Sequence, residues 1–283
     1  MSWSARQQEM LQAMGLRVWG PAALAVPEVE ADAPPAVTPV TPVAATLAAP
    51  RPAPAPAAAP AQPRPTLTAA DAERARHIST LDWPALRETV AACRACGLCE
   101  GRTQTVFGAG HRQAHWMVVG EAPGEQEDLS GEPFVGAAGQ LLDNMLRALS
   151  LTRSEEGDTP PAQRVFIANT LKCRPPRNRN PSPEEMAACE PFLKRQLELV
   201  RPRIILAMGR FAVQMLLNTQ EPVGRLRGRV HAYQGVPLVV TYHPAYLLRT
   251  LTDKARAWED LCLAAQVVEQ AAERGPEGDA LTA

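Results

Sequence analysis

The chain has 283 residues, with 29 Lys or Arg against 30 Asp or Glu and a net charge of -1. That length holds one domain of about 200 residues plus appendages, and the charge balance excludes a wholly basic nucleic-acid coat while leaving room for a local basic face. No run of about 18 apolar residues suggests a membrane span, and MSWSARQQEMLQAMGLRVWG lacks the apolar core and cleavage site of a signal peptide, so a cytoplasmic location is expected.

Residues 1–20 form a short peptide in which Met10, Leu11 and Met14 share one helical face. It reads either as a frayed terminus or as a tethered docking peptide for a protein partner. Residues 21–66 hold 13 of the 28 prolines and much alanine. Such a segment cannot bury enough apolar surface to offset ordering, and it reads as a disordered linker. From about residue 70 to 273 the composition is globular, and 274–283 reads as a disordered tail.

Within the globular part, residues 115–120 (HWMVVG) read as a strand and 139–149 (GQLLDNMLRAL) as a helix. Residues 164–170 (RVFIANT) make a second strand. Ser182–Val200 is a helix with a strong start: Ser182 caps, Pro183 fits the first position, and Glu185 completes a capping box. Residues 203–208 (RIILAM) form a third strand, followed by Gly209 and a helix to Leu217. Residues 236–241 (VPLVVT) form a fourth, and 255–272 a last helix. Strands alternating with helices imply an α/β three-layer sandwich around a four-stranded parallel sheet. In such sheets the site lies beyond the carboxyl ends of the strands.

Three polar motifs follow those ends. Gly120-Glu121-Ala122-Pro123-Gly124-Glu125-Gln126-Glu127-Asp128 makes a tight loop with available backbone amides and four acids, which could equally be a solvated acidic turn. Phe134 stands in a loop between Gly131 and Gly136, where an aromatic can plug a core. Asn169 closes the second strand as a turn former, or as a donor and acceptor for a base edge. His243 follows the fourth strand in Tyr242-His243-Pro244-Ala245-Tyr246-Leu247-Leu248-Arg249, before a proline that fixes the chain.

Six cysteines complete the inventory. Cys93 and Cys96 form C-x2-C, Cys173 follows the second strand, and Cys189 lies in the Ser182 helix. Four thiolates suit tetrahedral zinc or a [4Fe–4S] cluster, and spacing does not choose between them. Cys99 could replace one ligand, and Cys262 reads as a core residue. Between Arg164 and Arg229 there are 13 Lys or Arg and five Glu, a local balance of +8 that fits phosphate contact or an ordinary solvated face.

Together the segments CRAC (93–96), GEAPGEQED (120–128), GEPFVG (131–136), IANTLKCRPP (167–176), CEPFL (189–193) and YHPAYLLR (242–249) resemble the family 4 uracil-DNA glycosylases over roughly residues 85–265. The resemblance implies a monomer acting on uracil-containing DNA and hydrolysing the N-glycosidic bond. It implies a [4Fe–4S] cluster on Cys93, Cys96, Cys173 and Cys189, with Cys99 spare. It implies that Phe134 stacks on the flipped base and that Asn169 reads its edge. His243 would stabilise the oxygen that gains charge, with Gly120 and Ala122 offering backbone amides. Glu121 would position or activate water, Glu127 would shape the pocket, and Tyr246, Leu247 and Arg249 would contact DNA. Better-known uracil glycosylases carry an aspartate where Ala122 stands. The basic insertion with a reactive histidine of the covalently trapping relatives is absent, so turnover is expected. Two rivals remain: a non-catalytic DNA-binding protein of the same fold, and an enzyme for another damaged base.

Overall fold

The computed structural model describes residues 68–273. The expectations for residues 1–20, 21–66 and 274–283 lie outside the described residues.

Two helices open the described chain, α1 (Ala69–Thr80) and α2 (Trp83–Ala91). Thr68 and Asp71 exchange hydrogen bonds in a capping box, and the Asp82 side chain accepts from the backbone of Ala85. A single turn, α3 (Leu98–Gly101), follows the C-x2-C segment.

The sheet has six strands in the order β1-β3-β2-β4-β6-β5. The expected four form its parallel centre: β2 (Trp116–Gly120), β3 (Val165–Asn169), β4 (Ile204–Met208) and β6 (Val236–Thr241). All residues of β2, β3 and β4 are buried, as befits strands covered on two faces. Two short antiparallel strands, β1 (Ala109–Gly110) and β5 (Val230–Tyr233), extend the edges. The sequence reading did not anticipate them. β1 has only two residues, and β5 is half exposed, so neither carries a buried-strand pattern. A turn at Gln234–Gly235, both with positive φ, joins β5 to β6 in the manner of a tight hairpin.

One sheet face packs against α5 (Ala137–Ala148) and α10 (Lys254–Glu273) through Leu142, Met145, Leu146, Trp258 and Leu261. The other packs against α6 (Pro183–Val200) and α7 (Arg210–Leu217) through Leu193, Leu197, Val213 and Leu216. A third apolar cluster joins Ile78, Leu86 and Val90 of the first two helices to Phe107, Leu171 and Phe192. Between these layers run the short turns α4 (Glu125–Ser130), α8 (Val223–Leu226) and α9 (Pro244–Leu247).

Helix α6 starts as expected. The Ser182 side chain accepts from Glu185 N at 3.2 Å, and the Glu185 carboxylate accepts from Ser182 N at 2.9 Å. Replacing Ser182 with Ala should lower stability by about 1 kcal/mol, the usual cost of losing an N-cap. Urea denaturation should show a lower midpoint at unchanged slope.

Candidate active site

The carboxyl ends of the four parallel strands surround an open cavity of ≈ 790 Å³. Each strand delivers one group of lining residues, and the strand order reverses across β2, where ligands gather in sheets of this kind. β2 supplies Glu121, Ala122, Pro123 and Gly124, and β3 supplies Asn169. Arg210 and Phe211 follow β4, and Tyr242, His243, Tyr246 and Arg249 follow β6.

Gly120 and Asn169 are register partners at the last step of the β2–β3 ladder. A Cβ at Gly120 would lie 2.4 Å from Asn169 Oδ1 and 2.6 Å from the Phe134 ring, so the position takes no side chain. Asn169 is 3% exposed, and its Oδ1 is buried with no hydrogen-bond partner. A buried acceptor without a donor is costly and calls for an explanation, such as a ligand donor.

Phe134 is buried in the cavity wall with a left-handed backbone (φ 55°). Its ring lies 5.4 Å from that of His243 and nearly parallel to it. Gly209, at φ 87°, turns the chain after β4 so that its Cα hydrogens face His243, where a Cβ would come within 3.1 Å of the histidine Cβ. The His243 Nδ1 accepts from Ala245 N at 3.2 Å, which caps α9. In the neutral ring this assigns the proton to Nε2. Burial lowers the pKa of His243 to about 4, with Glu127 opposing the shift and Arg249 reinforcing it.

The four acids of the first loop have different fates. Burial raises the pKa of Glu121, and Arg210 pulls it back. Glu125 is exposed, 3.6 Å from Arg174. Glu127 accepts from Gly124 N and Val135 N at 3.1 Å and from Gly136 N at 3.4 Å, pinning the GEAPGEQED loop to the GEPFVG loop. Asp128 is buried and accepts from Thr103 N. The solvated-turn reading therefore fits Glu125 alone. Ala122 packs against the cysteine-bearing apolar cluster.

The loop after β6 needs one correction. Leu247 is fully buried in the core and cannot reach DNA from here. Its neighbour Leu248 is 41% exposed and takes the outward place. Tyr246 lies at the surface, stacked on Tyr242 at 5.1 Å and donating to Asp253 at 2.7 Å. Arg249 is exposed on the cavity rim.

Several lining residues escaped the sequence reading. Arg210 directly follows the third parallel strand, a position that strand-end logic could have flagged. Pro175, Asn178, Arg179 and Asn180 form another wall, and Arg179 is held there by two hydrogen bonds to Glu185, at 2.9 and 2.6 Å. The signal for that wall was the arginine-rich run after Cys173.

Behind the β3 turn, Cys93, Cys96, Cys99, Cys173 and Cys189 line a second, small cavity. All are free thiols. Burial pushes Cys189 up to about 12 and raises Cys173, while Lys172 and Arg102 respectively oppose those shifts. Arg102 Nη1 donates to Cys173 Sγ at 3.1 Å, and Lys172 N donates to Cys189 Sγ at 3.3 Å. Among the described residues, no three Cys, His, Asp or Glu side chains converge closely enough for a single metal ion. Cys262 is partly buried against the main core, apart from this cavity.

A family model described as the uracil DNA glycosylase superfamily matches residues 107–262. A type-4 uracil-DNA glycosylase of Archaeoglobus fulgidus is 43% identical over 167 residues, covering 56% of this chain and 79% of the relative. The chain belongs to the type-4 uracil-DNA glycosylases. Two further type-4 enzymes extend the comparison. That of Thermotoga maritima is 40% identical over 60% of this chain and 84% of its own. That of Pyrobaculum aerophilum is 39% identical over 65% of this chain and 93% of its own. In this glycosylase the region matched by the family model begins at Phe107 and ends at Cys262, so it takes in all four parallel strand ends.

The neutral state of His243 has a consequence for folding. The unfolded chain takes up a proton on this ring near pH 6.5, whereas the folded chain resists until about 4. Stability should therefore fall as pH drops from 6.5 toward 4. In His243→Gln that part of the decline should vanish, as thermal unfolding of the two proteins across the interval would record.

Proposed function

We propose that this chain excises uracil from DNA, and that the unpartnered Oδ1 of Asn169 in the cavity wall is the group that selects the base. Uracil presents an N–H between two carbonyls. The Asn169 amide complements that edge, with Oδ1 accepting from the ring N–H. Cytosine has an acceptor at the same place and would leave two acceptors facing each other in a buried site, which is costly.

A base in duplex DNA must first swing out of the stack. Phe134 offers its ring as a stacking surface, a contact worth about 1–3 kcal/mol. When the glycosidic bond breaks, its electron pair moves into the uracil ring and charge develops on the carbonyl oxygens. His243 donates from Nε2 to one of them, and its neutral state suits a donor that stabilises an oxyanion. Backbone amides near Gly120 and Ala122 hold the base. Glu121 orients water toward the sugar carbon and takes its proton, with Arg210 favouring the ionised carboxylate. Glu127 shapes the pocket by holding two loops together. Tyr246, Leu248 and Arg249 face the duplex, and the basic span from Arg164 to Arg229 adds phosphate attraction.

Cys93, Cys96, Cys173 and Cys189 would hold a [4Fe–4S] cluster. The donor set fits: thiols around a cavity, two of them receiving N–H donors, a common outer contact of cluster sulfurs. Held by these four cysteines, such a cluster would tie the chain after α2 to the turn after β3, and the excision step itself would need no electrons from it. Among the described residues no helix is long and apolar enough to cross a membrane. We infer a cytoplasmic monomer, with residues 1–20 either a frayed terminus or a docking peptide for a protein partner.

A labelled oligonucleotide with one uracil, treated with hot alkali after incubation, tests the activity. The wild type should cut at uracil and not at thymine, and Asn169→Ala and His243→Ala should each lose about 10²–10³-fold. No cutting by intact, iron-loaded protein would overturn the reading. For the centre, iron analysis should give about four irons per chain, lost in Cys173→Ser and kept in Cys99→Ser.

A further inference from the structure

Lys172 is one of the largest fully buried side chains among the described residues, at 1% exposure. Its Nζ donates to the backbone carbonyl of Asn169 at 2.9 Å and to Gln196 Oε1 at 2.6 Å. Gln196, also fully buried, donates in turn to Phe107 O at 2.8 Å. These two partners of the ammonium are neutral. An ammonium withdrawn from water without an opposing charge is strongly unfavourable. The groups that act on this ammonium electrostatically are the sulfurs of Cys189, which accepts from the Lys172 backbone, and of Cys173, its chain neighbour.

The same short turn organises the pocket. Asn169, at one end, presents the unpartnered Oδ1. Thr170 N donates to Gly120 O at 3.0 Å, and Leu171 N donates to Glu121 O at 3.1 Å. Cys173 stands at the other end. The Lys172 side chain folds back beneath this turn and ties its first carbonyl to α6, the helix that carries Cys189.

We propose that Lys172 is a positioning residue that couples the cysteine centre to the base pocket: its ammonium balances the negative charge of a thiolate-held cluster and holds the Asn169 carbonyl in place. The inference rests on the uracil-excision reading and goes beyond it, giving the centre an electrostatic link to base selection. Removing the ammonium leaves the cluster harder to reduce, because the added electron loses a nearby positive charge. It also lets the Asn169 end of the turn move, which lowers the rate at the bound base more than the grip on DNA.

The test is Lys172→Met, nearly isosteric and neutral. Iron content should match the wild type, and the cluster potential, read by protein-film voltammetry without DNA, should move to more negative values. With uracil oligonucleotide, kcat should fall about tenfold, the scale of one lost charge-assisted hydrogen bond, while KM stays within about twofold. An unmoved potential or an unchanged kcat in iron-loaded Lys172→Met overturns the proposal. If that variant does not accumulate with iron, Gln196→Glu replaces it. A carboxylate beside the ammonium should again move the potential negative, and an unmoved potential again overturns the proposal. Wild-type cutting is the control for the excision reading, so failure of that reading is seen separately from failure of the coupling.

Discussion

Gly120 and Asn169 sit opposite each other at the last rung of a parallel ladder, with no space between them for a single added carbon. Much of the pocket depends on that contact. Because β2 and β3 run parallel, their carboxyl ends fall at the same edge, and two motifs far apart in sequence become neighbours. The turn after Asn169 then donates hydrogen bonds to Gly120 and Glu121, so the first loop is held by the second strand rather than by its own length. β4 and β6 repeat the device further along the same sheet. Met208 pairs with Thr241, and Gly209 and His243 meet just beyond. The cavity is therefore framed by strand ends, which move less than free loops.

Charge is placed with the same economy. Glu127 and Asp128 lie on the short α4: the first accepts from amides of the flanking glycine-rich loops, the second from the distant Thr103 N. Glu185 caps α6 and binds Arg179, so one carboxylate serves a helix terminus and a cavity wall. His243 goes the other way. Its ring loses hydration and so stays neutral, while Nδ1 accepts from the α9 backbone and leaves Nε2 as the donor. Burial works against charge here, and the backbone donor at Nδ1 selects the tautomer.

The parallel centre of the fold was legible because β2, β3, β4 and β6 are short apolar runs that end at polar motifs. Helix α6 was legible because Ser182, Pro183 and Glu185 each satisfy a terminal amide or tolerate its absence. The first two helices were not anticipated, although Thr68 with Asp71 and Asp82 with Pro84 are similar start signals. Their apolar faces are thin, and much of their core comes from Leu171, Cys173, Cys189 and Phe192, which are distant in sequence. The edge strands escaped for a related reason: pairing with a neighbour defines them, and no periodicity of their own does. Asn169 and His243 stood out by their places at strand ends and Phe134 entered through the family resemblance, but the fate of each acid between Glu121 and Asp128 required knowing which amides the fold leaves open.

The Tyr246-Leu247-Leu248-Arg249 segment shows where sequence alone stops. Two adjacent leucines are chemically the same, and a surface loop that probes DNA could use either. The His243 side chain caps the single turn of α9, and Leu247 packs from that turn into the core. About 100° separates successive residues on a helix, so once Leu247 enters the core beneath the sheet edge, Leu248 must leave it. Tyr246, bonded to Asp253 and stacked on Tyr242, steadies the turn from outside. The turn capped by His243 thus carries both the donor proposed for the leaving base and the exposed Leu248 proposed to face the duplex.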